Sequence, residues 1–123
     1  MKVLLSIKPE YADKIFNGTK KYEYRKSIFK NKKVDQVIVY ATKPYGKVVG
    51  EFSVGQIIRD TPTYLWKKTY QYSGIKRTFF DSYFANRKFG FAIQIKNVNL
   101  YHKAKEISDF DIAQAPQSFR YIE

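Results

Sequence analysis

The chain has 123 residues, and its 23 Lys and Arg against 11 Asp and Glu give a formal net charge of +12. This length is typical of one domain, so we predict a single domain over residues 1–123. The sequence has no cysteine and one histidine, His102, which excludes disulfides, thiolate metal sites, cysteine nucleophiles and multi-histidine metal sites.

In chain order, the pattern of apolar residues first predicts a strand, a helix and a second strand. Residues 3–7 are continuously apolar apart from one serine, which is typical of a buried strand. Pro9 suits the first turn of a helix and Gly18 suits its C-terminal end. Charged and aromatic residues then alternate over 21–25, which indicates a strand before a lysine-rich loop over 26–34.

The remaining elements are mostly strands joined by short connections. The pattern predicts strands over 34–42, 48–59 and 89–98, a further strand over 99–103, and short helices over 62–71 and 75–86. Because most strands follow one another without a crossover helix, we expect an α+β fold with a mixed, largely antiparallel sheet curled into a barrel.

The charge indicates an anionic partner. Residues 106–123 are net acidic, with one basic and four acidic side chains, so the positive charge lies in residues 1–105. A strong positive potential favours phosphate backbones or anionic membranes. No segment has the wide apolar face of a membrane-surface helix, and no apolar run is long enough to span a bilayer. We therefore expect RNA or a nucleotide as partner, no membrane, and a cytoplasmic location.

Aromatic residues make up 18% of the chain and interleave with the lysines. Bases stacked on exposed rings, with lysines at the phosphates, are typical of single-stranded nucleic-acid binding. Aromatic side chains also fill the cores of small sheet domains, and composition does not say which of these rings are exposed.

Familiar catalytic and metal motifs are absent. His102 stands beside Lys103, outside any nucleophile elbow, and Asp109 with Asp111 is more typical of a helix start than of a metal site. We expect no metal and no cofactor. One charged segment remains, in which Lys21, Glu23 and Arg25 share one face of the strand. It is either a solvated face with an ion pair or a functional site.

This segment resembles the motif of the ASCH domain, a relative of the PUA RNA-binding fold. The pattern Gly-x-Lys-x-x-Glu-x-Arg is met by Gly18, Lys20, Glu23 and Arg25. Flanking sequences agree over nearly the whole chain: Leu4-Leu5-Ser6-Ile7-Lys8-Pro9, Val39-Tyr40-Ala41, Val49-Gly50-Glu51-Phe52 and Gln117-Ser118-Phe119-Arg120-Tyr121. The resemblance is to small prokaryotic or phage ASCH proteins and implies a PUA-like barrel with a cleft lined by the motif.

The resemblance implies binding of RNA or a modified nucleotide, in RNA metabolism or translation-linked regulation. Lys8, Lys20, Glu23 and Arg25 are the candidate binding residues, with Tyr40 and Arg120 as cleft neighbours. Since Lys20 falls on the opposite face of an ideal strand from Glu23, both can line one cleft only if the chain still turns over residues 19–21.

An enzymatic alternative stays open. Some small bacterial ASCH proteins are N4-acetylcytidine amidohydrolases, and at least one is a ribonuclease. The resemblance implies Lys20 as the catalytic lysine, with Glu51 as a more distant acid. Lys20 as base, with Glu23 orienting it, is the candidate catalytic pair if the protein is an enzyme. The position of the family's motif threonine falls at Glu23, so a hydroxyl nucleophile is missing there. A protein-interaction adaptor is the third alternative.

Overall fold

The computed structural model describes residues 1–122. It consists of one six-stranded sheet with three α-helices packed against it. The strands are β1 (Lys2–Ile7), β2 (Tyr22–Arg25), β3 (Gln36–Ala41), β4 (Lys47–Asp60), β5 (Gly90–Lys105) and β6 (Phe119–Ile122). The helices are α1 (Pro9–Phe16), α2 (Pro62–Thr69) and α3 (Arg77–Tyr83), with short 3₁₀ turns at Tyr70–Tyr72 and Ile107–Phe110.

The sheet is mixed and mostly antiparallel, in the order β2-β5-β4-β3-β1-β6. Within the described residues only β1 and β3 pair in parallel, and α1 with β2 forms the connection that a parallel pair requires. The predicted α+β class is therefore confirmed. Closure into a barrel is not confirmed, because β2 and β6 are the two outer strands and do not pair with each other within residues 1–122.

The strand β5 corrects the predicted break after residue 98. Residues 90–105 form one strand, and Asn97 has a positive φ of 50° within it. The pairing of β4 with β5 shifts register at the same place, where Glu51 lies opposite Asn99 and Ser53 opposite Lys96. A bulge of this kind interrupts the alternation of side chains without ending the strand, which is why the pattern predicted two strands.

The strand β6 was not predicted. Its four residues pair antiparallel with β1, with Leu5 opposite Phe119 and Leu4 opposite Arg120. So short an edge strand has too few residues to show alternation, and it forms because β1 offers an open edge.

Packing on the two faces of the sheet sets the position of α1. Ala12 and Ile15 of α1 are buried with Val3, Leu5 and Ile7 of β1. The helix ends at Asn17, and Gly18 follows with a φ of 88°, a conformation that glycine adopts without strain. The opposite face buries a second cluster: Leu4, Ile38, Tyr40, Val48 and Ile112.

The helices α2 and α3 pack at the β2 end of the sheet. Leu65 and Phe80 are buried there with Tyr24 of β2 and Ala92 of β5. Both helices are shorter than predicted, since α2 passes into the 3₁₀ turn at Tyr70 and α3 begins only at Arg77. In the part of the chain that the structure describes, no helix has the length and apolar character to cross a membrane.

Candidate functional site

A turn before β2 brings Lys20 to the same side of the chain as Glu23. The strand begins only at Tyr22, and the backbone N–H of Lys20 donates to the Lys14 carbonyl of α1. The next N–H, that of Lys21, donates to the Tyr72 carbonyl. The chain is thus still turning at residues 19–21, as the shared cleft requires, and the Lys20 ammonium lies 3.9 Å from Glu23 Oε1.

The Lys20 side chain is buried, with 2% of its surface exposed. Its Nζ donates to the Ser73 carbonyl at 2.7 Å and lies 4.9 Å from the ring centre of Tyr24 and 5.6 Å from that of Tyr11. Burial lowers the pKa of Lys20 to about 8, Glu23 opposes this shift, and Lys14 adds to it. Near neutral pH the side chain is therefore mostly an ammonium group held in an apolar setting.

Glu23 and Arg25 form the second charged pair of the site. Arg25 Nη1 lies 3.6 Å from Glu23 Oε2, and Arg25 Nη2 donates to the Ser118 carbonyl at 2.8 Å. The Nε of Arg25 is buried and has no hydrogen-bond partner among the residues that the structure describes. Buried donors are nearly always paired, so Arg25 Nε is an exception among the described residues.

These charges line a cavity of about 180 Å³ between β1, α1, β2 and α3. Its wall is mainly apolar, and the charged groups lie within it. The lining residues are Ser6, Ile7, Lys8, Tyr11, Lys20, Glu23, Tyr24, Arg25, Ile75, Phe79 and Tyr83. We call this cavity the Lys20 pocket. It is smaller than the 300–1,000 Å³ of most small-molecule sites, and suits one planar group.

Four of the predicted site residues meet in this pocket: Lys8, Lys20, Glu23 and Arg25. Lys8 lies above Phe79, with its Nζ 5.2 Å from the ring centre. The predicted flanking cation Lys21 does not line the pocket, and its Nζ lies 4.6 Å from the ring centre of Tyr72. The turn at residues 19–21 thus exchanges Lys21 for Lys20 as the neighbour of Glu23.

Tyr40 and Arg120, the predicted cleft neighbours, do not line the pocket. Tyr40 is buried on the opposite face of the sheet with Leu4 and Ile38, and Arg120 is exposed on β6 opposite Leu4. Their nearness to the motif was inferred from flanking sequence alone, which does not say to which face a strand residue points.

Glu51, the predicted distant acid, also lies outside the pocket. It pairs with Ile38 across the β3–β4 ladder and so shares the face opposite α1. Its carboxylate accepts hydrogen bonds from Gln36 Nε2 at 3.0 Å and from Tyr101 Oη at 2.6 Å. Burial and the hydrogen bond to Glu51 both raise the pKa of Tyr101. Glu51 is therefore engaged away from Lys20.

Sequence reasoning missed the aromatic wall of the pocket. Tyr11 comes from α1, and Phe79 and Tyr83 come from α3. The Phe79 ring stacks on Tyr83 with centres 6.3 Å apart and packs on Tyr11 at 5.6 Å. The four-residue spacing of Phe79 and Tyr83 predicts one helical face, but it does not tell a pocket wall from a core.

The family model of the ASCH domain matches residues 5–113, which is most of the chain. The chain belongs to the ASCH domain family. The match contains Lys8, Lys20, Glu23 and Arg25, and therefore all the charged lining of the pocket.

Solved ASCH structures have the same fold. The crystal structure of ASCH from Zymomonas mobilis superposes with a TM-score of 0.91 at 21% identity, covering 99% of this chain and 87% of that one. A mutant form of the same protein gives 0.91 at 20% identity, covering 99% and 90%. At this identity the likeness concerns the fold.

Two curated relatives from Ureaplasma parvum contain a similar segment. Large ribosomal subunit protein uL22 is 27% identical over 120 residues, and ATP synthase subunit alpha is 30% identical over 122 residues. Each alignment covers 98% of this chain but only 39% and 15% of those proteins. This ASCH domain therefore spans well under half the length of the curated relatives it matches.

Proposed function

We propose that this ASCH domain binds RNA or a modified nucleotide, and that one base enters the Lys20 pocket. The observation that carries the proposal is the convergence of Lys20, Glu23 and Arg25 with aromatic rings on one small pocket. A carbonyl, ring nitrogen or phosphate oxygen of a ligand in the pocket would accept from the Lys20 ammonium or the Arg25 guanidinium. A cytoplasmic location goes with this proposal.

The remaining lining fits the edge and the faces of a base. The Lys20 ammonium is a donor, the Glu23 carboxylate accepts N–H groups, and the two lie 3.9 Å apart. Tyr11, Phe79 and Tyr83 offer aromatic surface on which a base stacks. Because donors, acceptors and rings converge on about 180 Å³, the pocket suits a single base rather than a larger ligand.

The two curated relatives are compatible with this proposal, but they do not identify the ligand of the pocket. One of them is a ribosomal protein, which belongs to an RNA-containing particle, and the other is a subunit of ATP synthase. Because the same module occurs in two such different proteins, we assign the function to its own pocket rather than to an assembly.

A charge-conserving variant tests the proposal. Arg25→Lys keeps the net charge but lacks the planar guanidinium, and Arg59→Lys on the exposed surface, outside the pocket, is its matched control. With single-stranded RNA of mixed sequence, we expect Arg25→Lys to weaken binding roughly ten-fold or more and Arg59→Lys to leave it unchanged. Equal affinities for both variants and the unmodified chain would refute the pocket assignment.

Hydrolysis of a modified nucleoside is the second candidate, and one observation favours it. With a pKa of about 8, Lys20 is unprotonated in about one molecule in ten at pH 7, far more than an exposed lysine. A general base of that kind activates water or a side-chain hydroxyl. Two hydroxyls near the motif are already engaged, since Thr19 Oγ1 donates to Asn17 Oδ1 at 2.8 Å and Ser6 Oγ donates to the Pro116 carbonyl at 2.6 Å. Because about nine in ten Lys20 side chains are also protonated at pH 7, we rank binding above hydrolysis.

A further inference from the structure

Exposed aromatic rings and basic side chains coincide in one segment, residues 61–89. It carries six basic side chains and one acidic side chain, Asp81, so its net charge is +5. The basic residues are Lys67, Lys68, Lys76, Arg77, Arg87 and Lys88. The same segment exposes Tyr64, Tyr70, Tyr72 and Phe79, whereas rings that only fill a core are buried.

Three side chains of this segment, Trp66, Tyr70 and Arg77, form a shallow cleft between α2 and α3. The rings of Trp66 and Tyr70 lie 6.5 Å apart at 34°, and the guanidinium of Arg77 lies 5.9 Å from the centre of the Trp66 ring. With Thr63 and Lys67 they enclose a volume of about 430 Å³. We call this the Trp66 cleft.

The Trp66 cleft and the Lys20 pocket share α3 as a wall. Phe79 of α3 and Ile75 just before it line the pocket, while Arg77 lines the cleft. Arg77 and Phe79 are two residues apart and therefore lie on different sides of α3, and a helix is about 10 Å across.

Tyr72 lies on the chain between the cleft and the pocket. It is exposed, and the Lys21 ammonium is 4.6 Å from its ring centre. Its carbonyl accepts the Lys21 N–H, and the next carbonyl, that of Ser73, accepts the Lys20 ammonium inside the pocket. The chain from the cleft to the pocket therefore carries one further exposed ring, Tyr72, with the Lys21 ammonium beside it.

We propose that the Trp66 cleft, with Tyr72 and Lys21, binds the nucleotides that flank the base in the Lys20 pocket. The ligand is then a single strand of about four or more nucleotides, rather than a free nucleotide. This inference rests on the proposed function. Aromatic rings stack on bases of any identity, and the cations pair with the phosphates. The cleft therefore adds affinity without selecting a sequence.

A purely structural role explains only part of this surface. Trp66 packs on Phe80 with ring centres 4.9 Å apart, which accounts for its partial burial. It does not account for Tyr70, which has 53% of its surface exposed. A protein partner would need acidic side chains to match the net charge of +5, and an acidic peptide would then compete with RNA for this surface.

The experiment compares substitutions of two tyrosines whose side chains are exposed to a similar extent. Tyr70→Ala alters the cleft, and Tyr45→Ala, with 55% exposure at the turn between β3 and β4, is the matched control. The probes are a labelled single-stranded RNA octamer of mixed sequence and the corresponding dinucleotide. We expect Tyr70→Ala to weaken octamer binding roughly five-fold or more and to leave dinucleotide binding unchanged, while Tyr45→Ala changes neither.

The other outcomes overturn the inference in distinguishable ways. If Arg25→Lys weakens octamer binding and Tyr70→Ala does not, the pocket stands and the cleft fails. If neither variant weakens it, the proposed function fails together with the cleft. Equal losses in Tyr70→Ala and Tyr45→Ala, or displacement of the octamer by an acidic peptide of equal charge, also refute a nucleic-acid site at the cleft.

Discussion

The Lys20 ammonium lies 3.9 Å from the Glu23 carboxylate and 2.7 Å from the Ser73 carbonyl, on a side chain that is almost fully buried. A buried cation is costly unless acceptors surround it. The protein keeps this lysine inside by meeting it with a carboxylate, a carbonyl and two aromatic rings. Such a charge costs stability, so its position at the wall of a pocket indicates a function.

Lys20 predicts a dependence of stability on pH. Its pKa is about 8 in the folded protein and 10.5 in its unperturbed state, so the unfolded chain binds more protons between these values. The free energy of unfolding should therefore rise from about pH 8 to about pH 9.5, and Lys20→Met should reduce the slope. Chemical denaturation across this range measures both. An equal slope in the variant would contradict the low pKa.

Tyrosines set the upper limit of that window. Burial raises the pKa of Tyr24 to about 12 and also raises the pKa values of Tyr11 and Tyr83 above 10.0. Above about pH 10 the unfolded chain loses these phenolic protons first, so the free energy of unfolding should fall again. Because their effect has the opposite sign, the Lys20 slope is measured below pH 10.

Removing the carboxylate should move the pKa of Lys20 further down. Glu23 is the group that opposes the effect of burial, so Glu23→Gln leaves desolvation and the Lys14 charge to lower the pKa below about 8. Titration of the lysine side-chain signals by NMR measures this value directly. A rise of the pKa in Glu23→Gln would mean that the two side chains do not interact as the structure shows.

Gly74 packs closely against the Lys20 side chain, and its substitution should disturb the pocket. A Cβ at Gly74 would lie 2.5 Å from Lys20 Cβ, and the residue has a φ of 68°. Gly18 has a similar φ of 88° with nothing within 4 Å, so Gly18→Ala is a control for backbone strain alone. We expect Gly74→Ala to destabilise the fold by about 1–3 kcal/mol more than Gly18→Ala. Equal losses of stability would mean that the Ser73–Gly74 segment shifts away from Lys20 at little cost in free energy.

The motif, its helix and most strands were predictable, because their signals are local. Pro9, Gly18 and the alternation over residues 21–25 depend on neighbours in the chain. The meeting of Lys20 with Ser73, 53 residues away, and of Arg25 with Ser118, 93 residues away, depends on tertiary packing and gives no local signal. For the same reason the face on which Tyr40, Glu51 and Arg120 lie was not predictable from the motif's flanks.

The hydrolytic alternative has its own test. The hydroxyls of Thr19 and Ser6 donate hydrogen bonds to Asn17 and Pro116 rather than to the charged groups of the pocket. We therefore expect binding of N4-acetylcytidine without turnover, or a trace of activity. Deacetylation of the nucleoside by purified protein, followed by chromatography, measures this. Rapid turnover that Lys20→Ala abolishes would reverse the ranking and make hydrolysis the function.

Nucleic-acid binding should depend on the pocket charges beyond their contribution to net charge. The double substitution Lys20→Ala with Arg25→Ala and the control Lys32→Ala with Lys103→Ala each remove two cations, and neither control residue lines the pocket. We expect the first pair to weaken RNA binding clearly more than the second. For the unmodified chain, log K should fall with log salt by about 0.7 for each phosphate neutralised. Equal losses from both pairs would leave only general charge attraction.

The central claim is that a base of the RNA enters the Lys20 pocket, and an NMR titration tests it most directly. Single-stranded RNA of mixed sequence is added to isotope-labelled protein, and the backbone signals are followed. We predict saturable shifts at Lys20, Glu23 and Arg25 and at Phe79 across the pocket. Shifts that spread over exposed lysines such as Lys32 and Lys103, without saturation and without change at the pocket, would contradict it.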